Sequence, residues 1–308
     1  MRFFIVRRLG LALLTVFGVG TLIFFLQRLA GDPTVLLVPE TATQADIDTL
    51  RHTLGLDRPL YVQYLSFLWD MLQLRLGDSL VRHVPVTSII AVHAGYTLLL
   101  AAGALTVAAG LGIPLGAYLA LRPRHRVARV LYGLVMAAQS MPTFWSGILL
   151  ILLFGVTLQW LPPSSAGGFS HLIMPSISLG LLSMATLARV TRTAVINEFG
   201  RPYIRAALAR GSSMWQLAKW HLARNAAIPV ITIAALEISN LLAGAVIVET
   251  VFAWPGLGQL TVQAILARDF PIVQGVVLLG AFVTIGLNLL ADVLYGIVDP
   301  RIRHGEPR

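Results

Sequence analysis

Six apolar runs, each long enough to cross a bilayer, constrain this chain more than any other feature. They fall near residues 9–28, 96–121, 130–158, 172–188, 229–252 and 273–298. About 20 helical residues at a rise of 1.5 Å cover the roughly 30 Å of hydrocarbon. Backbone that enters lipid must satisfy its own polar groups, so such runs read as helices. The rest of the composition agrees: 56% of the 308 residues are hydrophobic and only 12% are charged. The sequence predicts an all-α integral membrane protein of six transmembrane helices.

The net charge of +9 could suggest a nucleic-acid partner, but the placement of the charges argues against one. With the N-terminus inside, 17 of the 23 Lys and Arg fall in segments on the cytoplasmic side, from Arg2, Arg7 and Arg8 to Arg301, Arg303 and Arg308. Arg28, Arg51, Arg58, Arg75, Arg82 and Arg268 fall elsewhere. The positive-inside rule then places both termini in the cytoplasm. Arginines ahead of residues 9–28 also resemble a signal peptide, but the run is long and no small-residue cleavage site follows it cleanly, so an uncleaved first span is expected.

Residues 31–95 form the one sizeable extracytoplasmic segment, with seven acids and four arginines. Within it Thr43 suits a helix cap, with Ile47, Leu50 and Leu54 on one face and a stop at Gly55. Asp57 suits a second cap, with Leu60, Tyr64, Phe67, Leu68 and Met71 as a stripe ending at Gly77. Two amphipathic helices lying flat outside the membrane are expected. They would cover the outer ends of the spans, offer a docking surface to an extracellular partner, or both.

Polar residues inside apolar runs mark candidate pathway positions. In the third span Gln139-Ser140-Met141-Pro142 sets polar groups and a kink in mid-membrane, where freed carbonyls are tolerated only against protein or water. In the fifth, Glu237 and Asn240 share a face, and a charge at that depth must turn towards protein or water. A substrate-pathway or gating role for Gln139, Pro142, Glu237 and Asn240 stands beside a structural one: a packing kink, and a hydrogen bond across a helix interface. In the second span Gly103, Gly110, Gly112 and Gly116 suit close helix packing.

No catalytic constellation is present. The single lysine, Lys219, has no phosphate-loop context, the seven histidines lack a His-Glu-x-x-His pattern, and there is no Gly-x-Ser-x-Gly elbow and no cysteine. No enzyme and no resident metal are expected.

Residues 201–229, RPYIRAALARGSSMWQLAKWHLARNAAIP, form a basic segment between two apolar runs. It reads as two short amphipathic helices broken at Gly211, the first over Pro202 to Ala209 and the second from after Ser212 or Ser213 to near Asn225. A surface helix resting on lipid headgroups is one reading of such a segment.

The order Arg205-Ala206-Ala207, then Gly211, then His221 and Ile228-Pro229 resembles the cytoplasmic coupling loop of ABC-importer permeases. Arginine at 205, where most of that family has glutamate, points to the peptide and nickel branch; Leu208 departs from the family, which commonly has a basic residue there. Further strings are similar to the same branch in the same order: GLDRPLYVQY (55–64), GDSL (77–80), HLIMPSISLG (171–180), VETVFAWPGLGQL (248–260), Arg268 to Pro271, and DVLYGIVDPRIR (292–303). The resemblance implies a type I ABC-importer permease fold, with a first helix and outer helices (1–93), a transport core (94–298) and a cytoplasmic tail (299–308).

It implies an inner-membrane permease for di- or oligopeptides, or for nickel or a related chelate, in a bacterium or archaeon. Implied partners are a second homologous permease forming a heterodimer, two ATPase subunits holding ATP and Mg, an extracytoplasmic solute-binding protein and membrane lipid. Arg205, Ala206, Ala207, Gly211, Trp215 and His221 are the implied ATPase-coupling residues. A rival of another class is an ATP-independent secondary transporter or channel with Glu237 as its proton or cation site.

Overall fold

The computed structural model describes residues 2–29, 34, 43–53, 55–73, 75–211, 213, 217 and 223–298. Their regular structure is helical: α1 (Arg2–Leu29), α2 (Gln44–Thr53), α3 (Leu60–Leu72), α4 (Val86–Leu121), α5 (Arg126–Ser140), α6 (Thr143–Leu150), α7 (Phe169–Phe199), α8 (Pro202–Ala209), α9 (Ala223–Val251), α10 (Leu257–Leu266) and α11 (Phe270–Val298). The chain divides into two compact units, one of residues 1–95 with 259–286 and the other of 96–258 with 287–308.

Among the described residues four helices are long and apolar enough to cross a membrane: α4, α7, α9 from Asn225, and the Phe270–Leu287 part of α11. The expected third span is broken. Instead of one kinked helix, α5 and α6 meet at Met141-Pro142 with a bend of 109°, and together they make at most a fifth span. Pro142 lacks the N–H needed to continue α5 and takes the N-cap position of α6. A π-helical stretch, Ile151–Thr157, follows α6. The expected first span lies within α1, whose Leu13–Leu29 part is apolar.

The second unit is built around α7, which packs against α5, α6 and α9. Small residues let the backbones meet in this unit, as the sequence suggests. A Cβ on Gly112 would lie 2.6 Å from the Met184 carbonyl, one on Gly180 would lie 2.6 Å from the Ala104 carbonyl, and one on Gly116 would overlap the Ala188 carbonyl. Gly110 has open space instead. Leu100, Met174, Leu241, Val248, Phe252 and Trp254 fill the core between these helices.

In the first unit α2 begins as expected: the Asp46 N–H donates to Thr43 Oγ1 at 3.4 Å, and the Asp46 carboxylate accepts from the Thr43 N–H at 2.9 Å. The Thr43 hydroxyl, which donates to Asp46 Oδ2 at 2.8 Å, and then the Thr43 N–H hold the Asp46 carboxyl below its ordinary range. Asp57 does not cap α3. Pro59 occupies the N-cap position and its carbonyl receives the Val62 N–H at 2.9 Å, while Asp57 Oδ2 lies 3.7 Å from His52 Nε2. α3 also stops at Leu72, before Gly77, whose φ of +68° serves the following turn.

Candidate functional site

The coupling segment hangs from the far end of α7. This helix continues past residue 188, where the expected fourth span ends, to Phe199, and α8 follows over the predicted residues Pro202–Ala209. On its inward side Ile204 and Ala207 pack with Val195, Leu217 and Ala226, backed by Ala120, Leu121, Ala194 and Phe199. The anchor therefore draws on α4, α7 and α9. Burying an isoleucine or leucine stabilises such a joint by roughly 1.5–3 kcal/mol.

Arg205 and Ala206 are exposed on the outer side of α8, whereas Ala207 faces the joint. Gly211 has φ +81°, and among the described residues nothing lies within 4 Å of where a Cβ would stand, so glycine is needed there for its backbone angle. Trp215 and His221 lie outside the described residues, as does most of the expected second short helix. α9 begins at Ala223 and carries Pro229 inside it.

A polar clamp closes the base of this loop. The Tyr203 hydroxyl donates to the Glu198 carboxylate, and Asn225 Nδ2 donates to the Tyr203 oxygen at 2.6 Å and to Glu198 Oε1 at 3.4 Å. Arg201 Nε adds an ion pair with Glu198 at 3.9 Å. Burial and the Glu198 hydrogen bond push the Tyr203 phenol above its ordinary range, so it remains a neutral donor. The last turn of α7 and the first turns of α8 and α9 are thereby tied together. No sequence motif flagged Glu198 or Tyr203.

Deeper in the second unit, Ser183 of α7 donates to Glu237 Oε2 of α9 at 2.5 Å, and Asn240 Nδ2 reaches Glu237 Oε1 at 3.4 Å. Glu237 is buried and Asn240 is exposed. At the α5–α6 break the Thr143 carbonyl accepts from Ser146 and Ser178, each at 2.9 Å, which ties the start of α6 to α7. Gln139 is half-buried and Pro142 exposed, and among the described residues no hydrogen bond joins Gln139 to Glu237 or Asn240. The four candidate pathway residues thus fall into two separate places.

The VETVFAWPGLGQL string folds around its own glutamate. Glu249, fully buried, accepts from Thr97 Oγ1 at 2.7 Å and from the Gly258 N–H at 2.6 Å, at the N-terminus of α10. Thr97 Oγ1 also receives the Leu257 N–H at 2.8 Å, and Trp254 Nε1 donates to the Tyr96 carbonyl at 2.9 Å. A Cβ on Gly256 would overlap the Glu249 carboxylate, and one on Gly258 would lie 2.9 Å from it. Gly256 makes room for a carboxylate, and Gly258 for the Val246 backbone, which its Cβ would overlap, as well as for that carboxylate, roles the string alone does not reveal.

In the first unit, two strings noted separately are partners. The Asp269 carboxylate accepts from the Ser79 hydroxyl, from the Leu80 N–H at 3.1 Å and from the Val81 N–H at 3.4 Å. The GDSL turn is therefore built on the aspartate of Arg268-Asp269-Phe270-Pro271.

The fold has known counterparts. Residues 112–304 match the family model described as binding-protein-dependent transport system inner membrane component, and residues 1–99 match the N-terminal model of the same systems. The chain belongs to this permease family. It is 36% identical to the dipeptide transport system permease protein DppB of Escherichia coli (strain K12), with 98% of each chain covered. It is 38% identical to the di/tripeptide transport system permease protein DppB of Pseudomonas aeruginosa (strain UCBPP-PA14), again with 98% of each covered. Among solved structures, an inward-facing MetNI methionine ABC transporter aligns with TM-score 0.59 at 18% identity, over 69% of this chain and 97% of that one. That last likeness establishes the type I importer fold alone. As a member of this family the permease is a multi-pass inner-membrane component of a transport system.

Proposed function

We propose that the permease translocates dipeptides or short oligopeptides across the cytoplasmic membrane as one subunit of an ABC importer, driven by ATP hydrolysis on separate ATPase chains. The observation that carries this reading is the full-length similarity to a dipeptide and a di/tripeptide permease. The nickel or metal-chelate reading, open on motifs alone, gains no support from those relatives.

The partners are a second homologous permease in a heterodimer, two ATPase subunits that hold ATP and Mg, and an extracytoplasmic solute-binding protein. The arginine distribution, the apolar part of α1 and the broken α5–α6 pair support the reading of six spans with both termini in the cytoplasm. The exposed side of α8, with Arg205 and Ala206, meets an ATPase, and Gly211 sets the turn that follows. Ile204, Ala207 and the Tyr203–Glu198–Asn225 clamp carry a displacement of α8 into α7 and α9. Glu237 holds α7 to α9 through Ser183, which leaves an ATP-independent ion site at that residue without a separate role to explain.

The test is mass spectrometry of the complex that copurifies with the tagged chain in mild detergent. Recovery of a second permease and of phosphate-loop ATPases is expected. Recovery of the chain alone, still active in transport without ATP, would overturn the reading.

A further inference from the structure

The amphipathic helix α3 was expected to lie flat outside the membrane, yet its packing inside the first unit runs along α1. Gln63 bonds Arg28 at the outer end of α1. One turn on, Tyr64 meets Thr21 at 2.7 Å and the rings of Phe24 and Phe25. Further along, Met71 Sδ lies 2.9 Å from where a Gly20 Cβ would stand and shares a cluster with Val16 and Leu278. Val16 lies 12 residues before Arg28 on α1, about 18 Å at a rise of 1.5 Å per residue. Residues 9–26 of that helix form an uncharged, mostly apolar run interrupted only by Thr15 and Thr21. Leu278 likewise lies about 12 Å along α11 from Phe270, whose carbonyl accepts from Gln27 at 3.3 Å.

The circumference of α3 points the same way. At about 100° per residue, Phe67, Met71, Tyr64, Leu68, Tyr61, Leu72, Leu65 and Trp69 occupy one arc of more than half a turn. Half of that arc packs on α1 and its neighbours. The other half is exposed among the described residues: Tyr61 is 69% exposed, Leu65 61%, Trp69 63% and Leu72 73%. The narrow polar arc, Gln63, Ser66 and Asp70, lines a cavity of about 420 Å³ that Arg28, Arg58 and Arg75 also border. Phe25 of α1, itself half exposed, touches Tyr64 with ring centroids 5.9 Å apart, so the exposed apolar surface of α1 continues onto α3.

We propose that α3 is a half-membrane helix, inserted along α1 into the outer leaflet, with Tyr61, Leu65, Trp69 and Leu72 facing lipid chains and its polar arc screened behind them. Water is a poor neighbour for four large apolar side chains in a row, and lipid already covers the surface of α1 that they extend. The stripe carries no charge, and its two aromatic residues suit the region where headgroups meet chains.

The chain has no cysteine, so single-cysteine variants report cleanly. Spin labels at Tyr61→Cys, Leu65→Cys, Trp69→Cys and Leu72→Cys, in the assembled importer in lipid nanodiscs, are read for collisions with oxygen and with a water-soluble nickel chelate. Leu22→Cys serves as a lipid-facing control and Thr49→Cys as a water-facing one. The proposal expects a ratio of oxygen to nickel-chelate accessibility that climbs from residue 61 to residue 72, over about 16 Å of helix, towards the value at residue 22. Equal, chelate-accessible values at all four sites mean a helix lying in water and overturn it. Low accessibility to both reagents means that another protein covers the stripe, which overturns it as well. Uptake by each variant confirms that the labelled importer is folded.

Discussion

Asn225 donates a hydrogen bond to the Tyr203 oxygen at 2.6 Å, joining the first turns of the two helices on either side of the coupling loop. Glu198 accepts from both, so the loop rests on a closed triangle instead of on two independent stems. Tyr203→Phe removes the bridging hydroxyl and keeps the ring. An exposed bond of this kind is worth about 1 kcal/mol, so assembly should be unchanged. Peptide uptake per ATP hydrolysed in proteoliposomes should fall; an unaltered ratio would show that the clamp has no part in coupling.

Gly211 separates backbone strain from crowding. Its φ of +81° disfavours any side chain, while among the described residues the space around it is open. Gly211→Ala should cost about 1–2 kcal/mol locally and reduce uptake, and the β-branched Gly211→Val should reduce it much further, with membrane insertion intact in both. Equal, wild-type uptake by both variants would remove the turn from the coupling account.

Glu237 and Ser183 give opposite expectations for two small changes. Glu237→Gln keeps a partner for Ser183 and should leave uptake near normal. Ser183→Ala deprives a buried carboxyl group of its donor and should destabilise the α7–α9 contact by about 1–3 kcal/mol, read as a lower unfolding temperature of the purified permease. A Glu237→Gln variant that assembles but does not transport would instead place Glu237 in the substrate path.

Glu249 is held by Thr97 and by the Gly258 N–H, so either side of the arrangement can be broken. Gly256→Ala pushes a methyl group into the carboxylate and should reduce the folded yield markedly. Glu249→Ala relieves the crowding but strips partners from Thr97 and Gly258. If Glu249→Ala restores the yield of Gly256→Ala, the clash is the cause; two variants that fail additively would point to a separate role for the glycine.

Much of this architecture could be read from the residues, for reasons that differ by region. The limits of α8 were legible because Pro202 and Gly211 punctuate a short chain. The start of α4 at Val86, ten residues before its expected span, was not, because hydrophobicity marks where lipid is and not where a helix begins. The cap at Asp57 failed because Pro59 claimed the position two residues later. Glu237 announced itself as a charge in an apolar run, but its partner Ser183 is one of many serines and no period singles it out. Glu198 with Tyr203, and Ser79 with Asp269, are pairings that only the folded chain brings together.

The central claim is that this permease imports peptides at the expense of ATP. The most direct measurement reconstitutes the purified assembly with its solute-binding protein in proteoliposomes and follows a radiolabelled dipeptide, with and without ATP on the ATPase side. The account predicts accumulation that requires ATP, is competed by unlabelled dipeptide and is indifferent to nickel. Uptake that proceeds without ATP, or that nickel competes while dipeptide does not, would contradict it.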